Sequence, residues 1–252
     1  MRRIIRKFFN SFNYDIVKYK PGVTAAFPGD FNEIHKNIIQ KAKPFTMTGN
    51  ERLFALIEAI KYVSKYNIEG DIVECGVWKG GSMLTVAETL VQLNQANRTL
   101  YLYDTFEGMS EPTEHDETFY NEKAKTLLVS NADKDKNLVW AYSTLEEVKS
   151  TMALSTYNPE LIRYIKGKVE ETVPSVMPKK IALLRLDTDW FESTKHEMEH
   201  LFPLLETGGV LIIDDYGHWK GARKAIDEYI DSNRIQILLN RIDETARIAI
   251  KQ

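Results

Sequence analysis

Two apolar runs that end in carboxylates, Leu183-Leu184-Arg185-Leu186-Asp187-Thr188-Asp189 and Val210-Leu211-Ile212-Ile213-Asp214-Asp215, restrict this chain to few folds. A short apolar run without polar alternation is the pattern of a parallel strand buried on both faces, which requires helices above and below the sheet. In open α/β sheets, ligands collect beyond the carboxyl ends of the strands, so two neighbouring strands ending this way bring four acidic side chains to one crevice. Asp187, Asp214 and Asp215 form an all-oxygen donor set, which favours magnesium, manganese or calcium over zinc or copper. Without a cation such carboxylates repel one another, or hold a proton at a raised pKa. The competing reading gives Asp214 and Asp215 to a helix cap and Asp187 to a turn.

The rest of the pattern alternates strand with helix. Residues 50–66 carry Leu53, Phe54, Leu56, Ile57, Ile60, Tyr62 and Val63 at helical spacing, and 67–70 end that helix. Residues 72–75 read as a first strand, with a glycine-rich turn into a helix reaching about residue 93. Residues 99–103 read as a second strand ending at Asp104, 161–166 as a third, 181–186 as a fourth and 210–213 as a fifth. Helical patterns at 193–205 and 222–230 flank the fifth strand, and 235–239 with 246–250 read as a terminal antiparallel pair. The expected fold is a Rossmann-like α/β sheet of seven strands, mostly parallel, with a terminal antiparallel strand and helices on both faces. The domain organisation expected is an N-terminal extension or lid over residues 1–45 and a catalytic domain over 46–252. An insertion at 105–160 is polar and turn-rich, and its position beside the crevice suits a lid or binding loop.

The turn Gly76-Val77-Trp78-Lys79-Gly80-Gly81-Ser82 lets backbone approach a ligand and aims helix N-terminal amides at it, which suits a carboxylate or a phosphate. Its glycine spacing is not the G-x-G-x-x-G fingerprint of dinucleotide binding, and such glycines also serve to close a tight turn. Asp104, at the end of the second strand, stands where an acid accepts hydrogen bonds from ribose hydroxyls, although an aspartate there can also start a turn. Together the glycine turn and the acid imply an adenosyl ligand. Asp189, if it is not a metal ligand, is placed to act as general base toward a hydroxyl acidified by the metal. His218 is the other candidate base, with a helix cap or a wall residue as its alternative role. Trp78, Trp190 and Trp219 fall near strand ends and are either core aromatics or the lining of an acceptor site.

Composition narrows the function classes. A formal net charge of -3 over 252 residues gives no basic field for nucleic acid. The single cysteine, Cys75, excludes an intramolecular disulfide or a thiolate zinc cage and fits a reducing cytoplasm. No apolar stretch approaches the roughly 20 residues of a membrane span. The basic and apolar residues 1–9 are too short and interrupted for an export signal, and read as a solvated or subunit-packing helix. Homo-oligomer formation is left open.

The chain resembles the macrocin O-methyltransferase family, the antibiotic-sugar methyltransferases of tylosin, mycinamicin and novobiocin biosynthesis. The resemblance runs from about residue 43 to 230 and rests on five ordered blocks: Pro44-Phe45-Thr46-Met47-Thr48, Val73-Glu74-Cys75-Gly76-Val77-Trp78-Lys79-Gly80-Gly81-Ser82, Tyr103-Asp104-Thr105-Phe106-Glu107-Gly108-Met109, Leu184-Arg185-Leu186-Asp187-Thr188-Asp189 and Ile212-Ile213-Asp214-Asp215-Tyr216-Gly217. It implies a seven-stranded S-adenosylmethionine-dependent fold and a magnesium requirement, with Asp187, Asp214 and Asp215 on the metal and Asp189 as base. It places Glu74, Gly76 and Ser82 around the methionine portion of the cofactor, Asp104 at its ribose, Val169 and Glu170 in the adenine-side loop, and Thr46 with Met47 closing over it, with Phe106 and Asp187 as further cofactor-binding residues. The implied acceptor is a small-molecule sugar hydroxyl. Two alternatives remain at this stage: a metal-dependent phosphoester hydrolase, for which the four carboxylates would hold two metals, and a phenol or catechol methyltransferase. Catechol enzymes of this fold follow the metal aspartate with a histidine and a tryptophan and then a lysine base, and place an asparagine after the second aspartate, whereas Asp189 and Asp215 of this chain favour a sugar hydroxyl.

Overall fold

Parallel pairing sets the carboxyl ends of the central strands side by side. In the computed structural model, which describes residues 27–252, the sheet has seven strands: β1 (Asp71–Cys75), β2 (Leu100–Asp104), β3 (Ile162–Lys166), β4 (Ile181–Leu186), β5 (Leu205–Ile213), β6 (Asn240–Arg241) and β7 (Arg247–Ile250). Their spatial order is β3-β2-β1-β4-β5-β7-β6, and only the pairs made by β7 are antiparallel. The chain steps outward from β1 through β2 to β3, then returns to lay β4 on the other side of β1. The order therefore reverses between β1 and β4, the place where a doubly wound sheet opens a crevice.

Register makes that crevice sharp. Cys75 pairs with Leu186, and Leu186 with Ile213, so Gly76, Asp187 and Asp214 are the next residues on three adjacent strands. The ladder continues one step beyond the strands: Gly76 N donates to Tyr103 O, Asp187 N to Cys75 O and Asp214 N to Leu186 O, each at 2.9 Å.

Alternate strand residues face opposite layers, which gives two cores. Ile72, Leu102, Leu183, Val210 and Ile212 pack under the helices α2 (Asn50–Lys65) and α3 (Gly81–Gln92), against Leu56, Ile60, Val63, Leu84 and Leu90. Val73, Tyr103, Leu184, Leu211 and Ile213 pack under α7 (Phe191–His200) and α8 (Lys220–Ser232), against Met198, Leu201 and Ile226. The remaining helices are α1 (Glu33–Ala42), α4 (Ala124–Ser130), α5 (Leu145–Met152) and the single turn α6 (Val169–Thr172). A reciprocal capping box of Thr144 and Glu147 opens α5 by satisfying two otherwise free amides. Residues 32–252 form one unit; residues 27–31 belong to a second, in which the rings of Phe27 and Phe31 lie 5.7 Å apart.

Two expectations differ from the structure. Residues 235–239 are not a strand; the paired segment is the two-residue β6 that follows. Their alternation is real, since Ile235, Ile237 and Leu239 pack on the α7–α8 side while Leu238 is exposed, but it records a packed face and not a ladder. The insertion is more regular than its composition suggests, holding α4 and α5. The helix expected over residues 1–9 lies outside the described residues. Among those described, no helix is long and apolar enough to cross a membrane.

Candidate active site

At the β1–β2 side, the crevice is made by backbone. Gly76 has φ +81°, and a Cβ there would come within 1.9 Å of Asp187 O, so only glycine lets the turn close against the end of β4. The turn is then held by one side chain. Val77 N and Trp78 N donate to Asp104 Oδ2 at 2.7 and 3.0 Å, and Phe106 N donates to Asp104 Oδ1 at 2.7 Å. Burial raises the pKa of Asp104, and these three amide bonds oppose the rise. A carboxylate has about four acceptor sites, so the bonds to backbone leave room for one ligand hydroxyl where the sequence suggests two.

At the β4–β5 side, the crevice is made by charge. One carboxylate oxygen from each of Asp187, Asp214 and Asp215 lies within 4.8 Å of the others. These are hard oxygen donors at a spacing that a six- to eight-coordinate cation with bonds of about 2.0–2.6 Å can span. Asp215 Oδ2 is buried and has no hydrogen-bond partner among the described residues. The residues present therefore fit a divalent ion of the magnesium or calcium kind.

Two arginines, to which the sequence reading gives no role, share this cluster. Arg185 is buried, and its Nη1 donates to Glu74 Oε1 and to Asp187 Oδ2, both at 2.6 Å, while Nη2 donates to Asp214 Oδ1 at 2.5 Å and to Thr48 Oγ1 at 3.3 Å. Arg52, from α2, donates through Nη1 to Asp214 Oδ2 and through Nε to Asp243 Oδ2. Burial works against the charge on Arg185, but Asp187, Asp214 and Glu74 more than offset it and raise its pKa well above the ordinary value. Two guanidinium groups stand against the six carboxylates of Glu74, Asp187, Asp189, Asp214, Asp215 and Asp243, so four negative charges stay unbalanced if all ionise. The acids respond accordingly. Burial lifts Glu74 to about 7 against the pull of Arg185, and lifts Asp189 to about 7. Asp187 and Asp215 are raised well above the usual carboxylate range, by burial first and by neighbouring carboxylates second.

Asp189 sits in the left-handed region at φ +69°, a conformation that a side-chain-bearing residue adopts at a cost of order 1–3 kcal/mol. That turn brings its carboxyl within hydrogen-bonding reach of Asp215. His218 lines the same crevice, its ring edge-on to Trp219 at 4.9 Å, and its pKa is lowered by burial and by the charge of Arg52. Both candidate bases thus face one space of about 440 Å³. Thr46, Met47, Gly76, Ser82, Asp104, Val169, Glu170, Asp187, Asp214 and Asp215 line it too. Glu74 and Phe106 do not. Phe106 is a core side chain that contributes its amide to Asp104, and Glu74 is 1% exposed, reaching the site only through Arg185.

The insertion, expected as a lid or binding loop, is joined to the rim of the crevice by hydrogen bonds. Trp190 Nε1 donates to Ser110 O at 3.0 Å, and Phe191 N donates to Asp116 Oδ1 at 2.8 Å. Asp116 is buried, and its other oxygen accepts from Thr113 N and Thr113 Oγ1. A second seam joins the turn after β5: Phe119 N donates to His218 O and Lys220 N to Glu117 O. Trp190 and Trp219 meet edge to face at 4.9 Å, with Met109, Leu127, Val139 and Trp140 packed around them. Of the three tryptophans, Trp190 is core, while Trp78 and Trp219 also line the crevice.

Comparison with known proteins gives one consistent result. Residues 40–249 match the family described as Macrocin-O-methyltransferase (TylF). The chain is 30% identical over 188 residues to demethyldecarbamoylnovobiocin O-methyltransferase of Streptomyces niveus, covering 75% of this chain and 68% of that one. It is 31% identical over 200 residues to the 8-demethyl-8-(2,3-dimethoxy-alpha-L-rhamnosyl)-tetracenomycin-C 4'-O-methyltransferase of Streptomyces olivaceus, covering 79% and 73%. Among solved structures it is similar to the O-methyltransferase NovP, with a TM-score of 0.72 and 29% identity over 82% of each chain.

Proposed function

The chain belongs to the macrocin O-methyltransferase family and is an O-methyltransferase, and on that premise we propose that it moves the methyl group of S-adenosylmethionine to a hydroxyl of a sugar-bearing small molecule with the help of a divalent cation, magnesium first. Family membership replaces the phosphoester hydrolase as a reading of the four aspartates. The observation that carries the proposal is the meeting, in one crevice, of a backbone-built adenosyl site at Gly76 and Asp104 with the acid cluster of Asp187, Asp214 and Asp215. A buried free cysteine suits an enzyme of a reducing compartment.

In the proposed reaction, the acceptor oxygen forms a bond to the methyl carbon as the carbon–sulfur bond breaks, and the sulfonium becomes the neutral thioether of S-adenosylhomocysteine. The hydroxyl proton passes to Asp189, or to His218 if Asp189 is engaged elsewhere. Asp187, Asp214 and Asp215 would hold a divalent ion, which when bound would supply a Lewis acid that makes a sugar hydroxyl easier to deprotonate. Burial raises the pKa of Asp189 above the usual carboxylate range, to about 7. The Gly76 turn and the amides at the start of α3 receive the charged amino-acid end of the cofactor, and Asp104 receives one ribose hydroxyl. The wall of Met109, Leu127, Val139 and Trp219 keeps water from the acceptor and fixes its orientation.

Incubating the chain with methyl-labelled S-adenosylmethionine, magnesium and separate panels of glycosides, nucleotide sugars and catechols tests the proposal. Label on a sugar hydroxyl is the expected outcome. Label confined to catechols, or none with any sugar under conditions where the cofactor binds, would replace it.

A further inference from the structure

Arg185 stands in the middle of an apolar strand, where a charged residue is costly unless it is fully paired. Its pairing explains its presence. In the parallel ladder Glu74 of β1 is the register partner of Arg185 on β4, so the two side chains project from the same face of the sheet at neighbouring positions. The guanidinium is met there by Glu74 on one side and, from the strand ends, by Asp187 and Asp214. Its planar fork gives one nitrogen to the Glu74–Asp187 pair and the other to Asp214 and Thr48. Asp187 and Asp214 are also two of the three aspartates at ligand spacing.

We propose that Arg185, braced from behind by Glu74, is the positioning residue that holds the Asp187 and Asp214 carboxylates at ligand spacing below the crevice. The inference rests on the divalent-cation reading above. Two features of the structure support it. Each aspartate gives one oxygen to Arg185, which fixes the carboxylate plane; Asp187 keeps its second oxygen for another partner, and the second oxygen of Asp214, which accepts from Arg52, keeps a further lone pair. Glu74, although 1% exposed and absent from the crevice wall, spends its one bonded oxygen on Arg185, so its role in the site passes through the arginine. A lysine could not substitute. It supplies the same charge from a single point, whereas the fork meets three carboxylates through two nitrogens.

Coulomb's law alone makes the opposite forecast. Removing a positive charge from beside two ligands should tighten cation binding, whereas removing a residue that aims them should loosen it. The experiment is Mn2+ titration followed by electron paramagnetic resonance, with no substrate or cofactor present, on the wild-type chain, Arg185→Met, Arg185→Lys and Glu74→Gln. The expected result is weaker Mn2+ binding by about 10–100-fold in Arg185→Met, the range usual when a partner that orients metal ligands is lost. Arg185→Lys should recover only part of that loss, and Glu74→Gln should show a smaller loss of the same sign. If Arg185→Met does not fold, Arg185→Lys decides, since full affinity there would overturn the proposal. Wild-type protein that takes up no Mn2+ would overturn the cation reading and this inference with it. Mn2+ held by the wild type, and held as tightly or more tightly by Arg185→Met, would overturn this inference alone.

Discussion

The two ends of the crevice are built by different means. At β1 and β2 the site is backbone: a glycine turn that closes on Asp187 O and three amides that converge on one carboxylate. At β4 and β5 it is side-chain charge: a cluster of carboxylates around two guanidinium groups, with Glu74 Oε2 and Asp215 Oδ2 buried and unpartnered among the described residues. Amides cannot change their charge, so the first end changes with conditions only through Asp104. The second end is set by the occupancy of protons and cations. A fold that places a rigid recognition surface beside a charge-dense, adjustable one suits a reaction in which one substrate is held and the other is deprotonated.

If this contrast is right, substitutions should separate binding from turnover according to the end they touch. The largest effect is expected at the charged end. Asp189→Asn keeps the shape and a carbonyl oxygen but cannot take a proton at neutral pH, so turnover should fall by roughly 10²–10⁴. Affinity for S-adenosylmethionine, measured by calorimetry, should stay within a few-fold; a parallel collapse of cation binding would make Asp189 a ligand and move the base to His218.

The amide-built end should behave the other way. Asp104→Ala removes the acceptor of three backbone donors and of a ligand hydroxyl. Hydrogen bonds to charged groups contribute roughly 1.5–3 kcal/mol each, so cofactor affinity should drop at least about tenfold. Calorimetric titration showing unchanged affinity would move the ribose away from Asp104.

Between these ends, the wall offers a smaller and more selective test. Asp116→Ala frees Phe191 N and the Thr113 loop, and leaving one buried donor unpaired costs about 1–3 kcal/mol of stability. Thermal melting should register that loss. Steady-state kinetics should show the acceptor KM rising while the S-adenosylmethionine KM holds; a rise in both would mean that the wall serves the cofactor as well.

The residues legible in the sequence were those whose meaning is local. Asp104, Asp187, Asp214 and Asp215 each follow an apolar run, and a strand end in a doubly wound sheet is a ligand position whatever lies around it. Gly76 announced itself in the same way, as the first residue after a strand. Arg185 lies in one of the quoted runs, yet its role depends on the register that sets it beside Glu74, and register is a property of the folded sheet. Arg52 reads as an exposed helical residue until β5 and the 243 turn close on it. Asp116 is 75 residues from Phe191, and no pattern in the insertion points to that partner. Phe106 was misplaced for the converse reason: it belongs to a motif that surrounds the cofactor, but its side chain turns into the core and only its amide serves the site. The alternation at 235–239 reported burial correctly and pairing incorrectly, because one buried face is common to a strand and to an extended segment lying on helices.

The central claim is that the charged end works through a divalent cation. Initial rates of methyl transfer from S-adenosylmethionine to a sugar acceptor, measured on metal-stripped protein before and after magnesium is added back, test it most directly. The account expects turnover to vanish on stripping and to return with magnesium. Undiminished turnover in excess chelator would contradict it, and would leave Arg185 and Arg52 as the cations for which the aspartates were assembled.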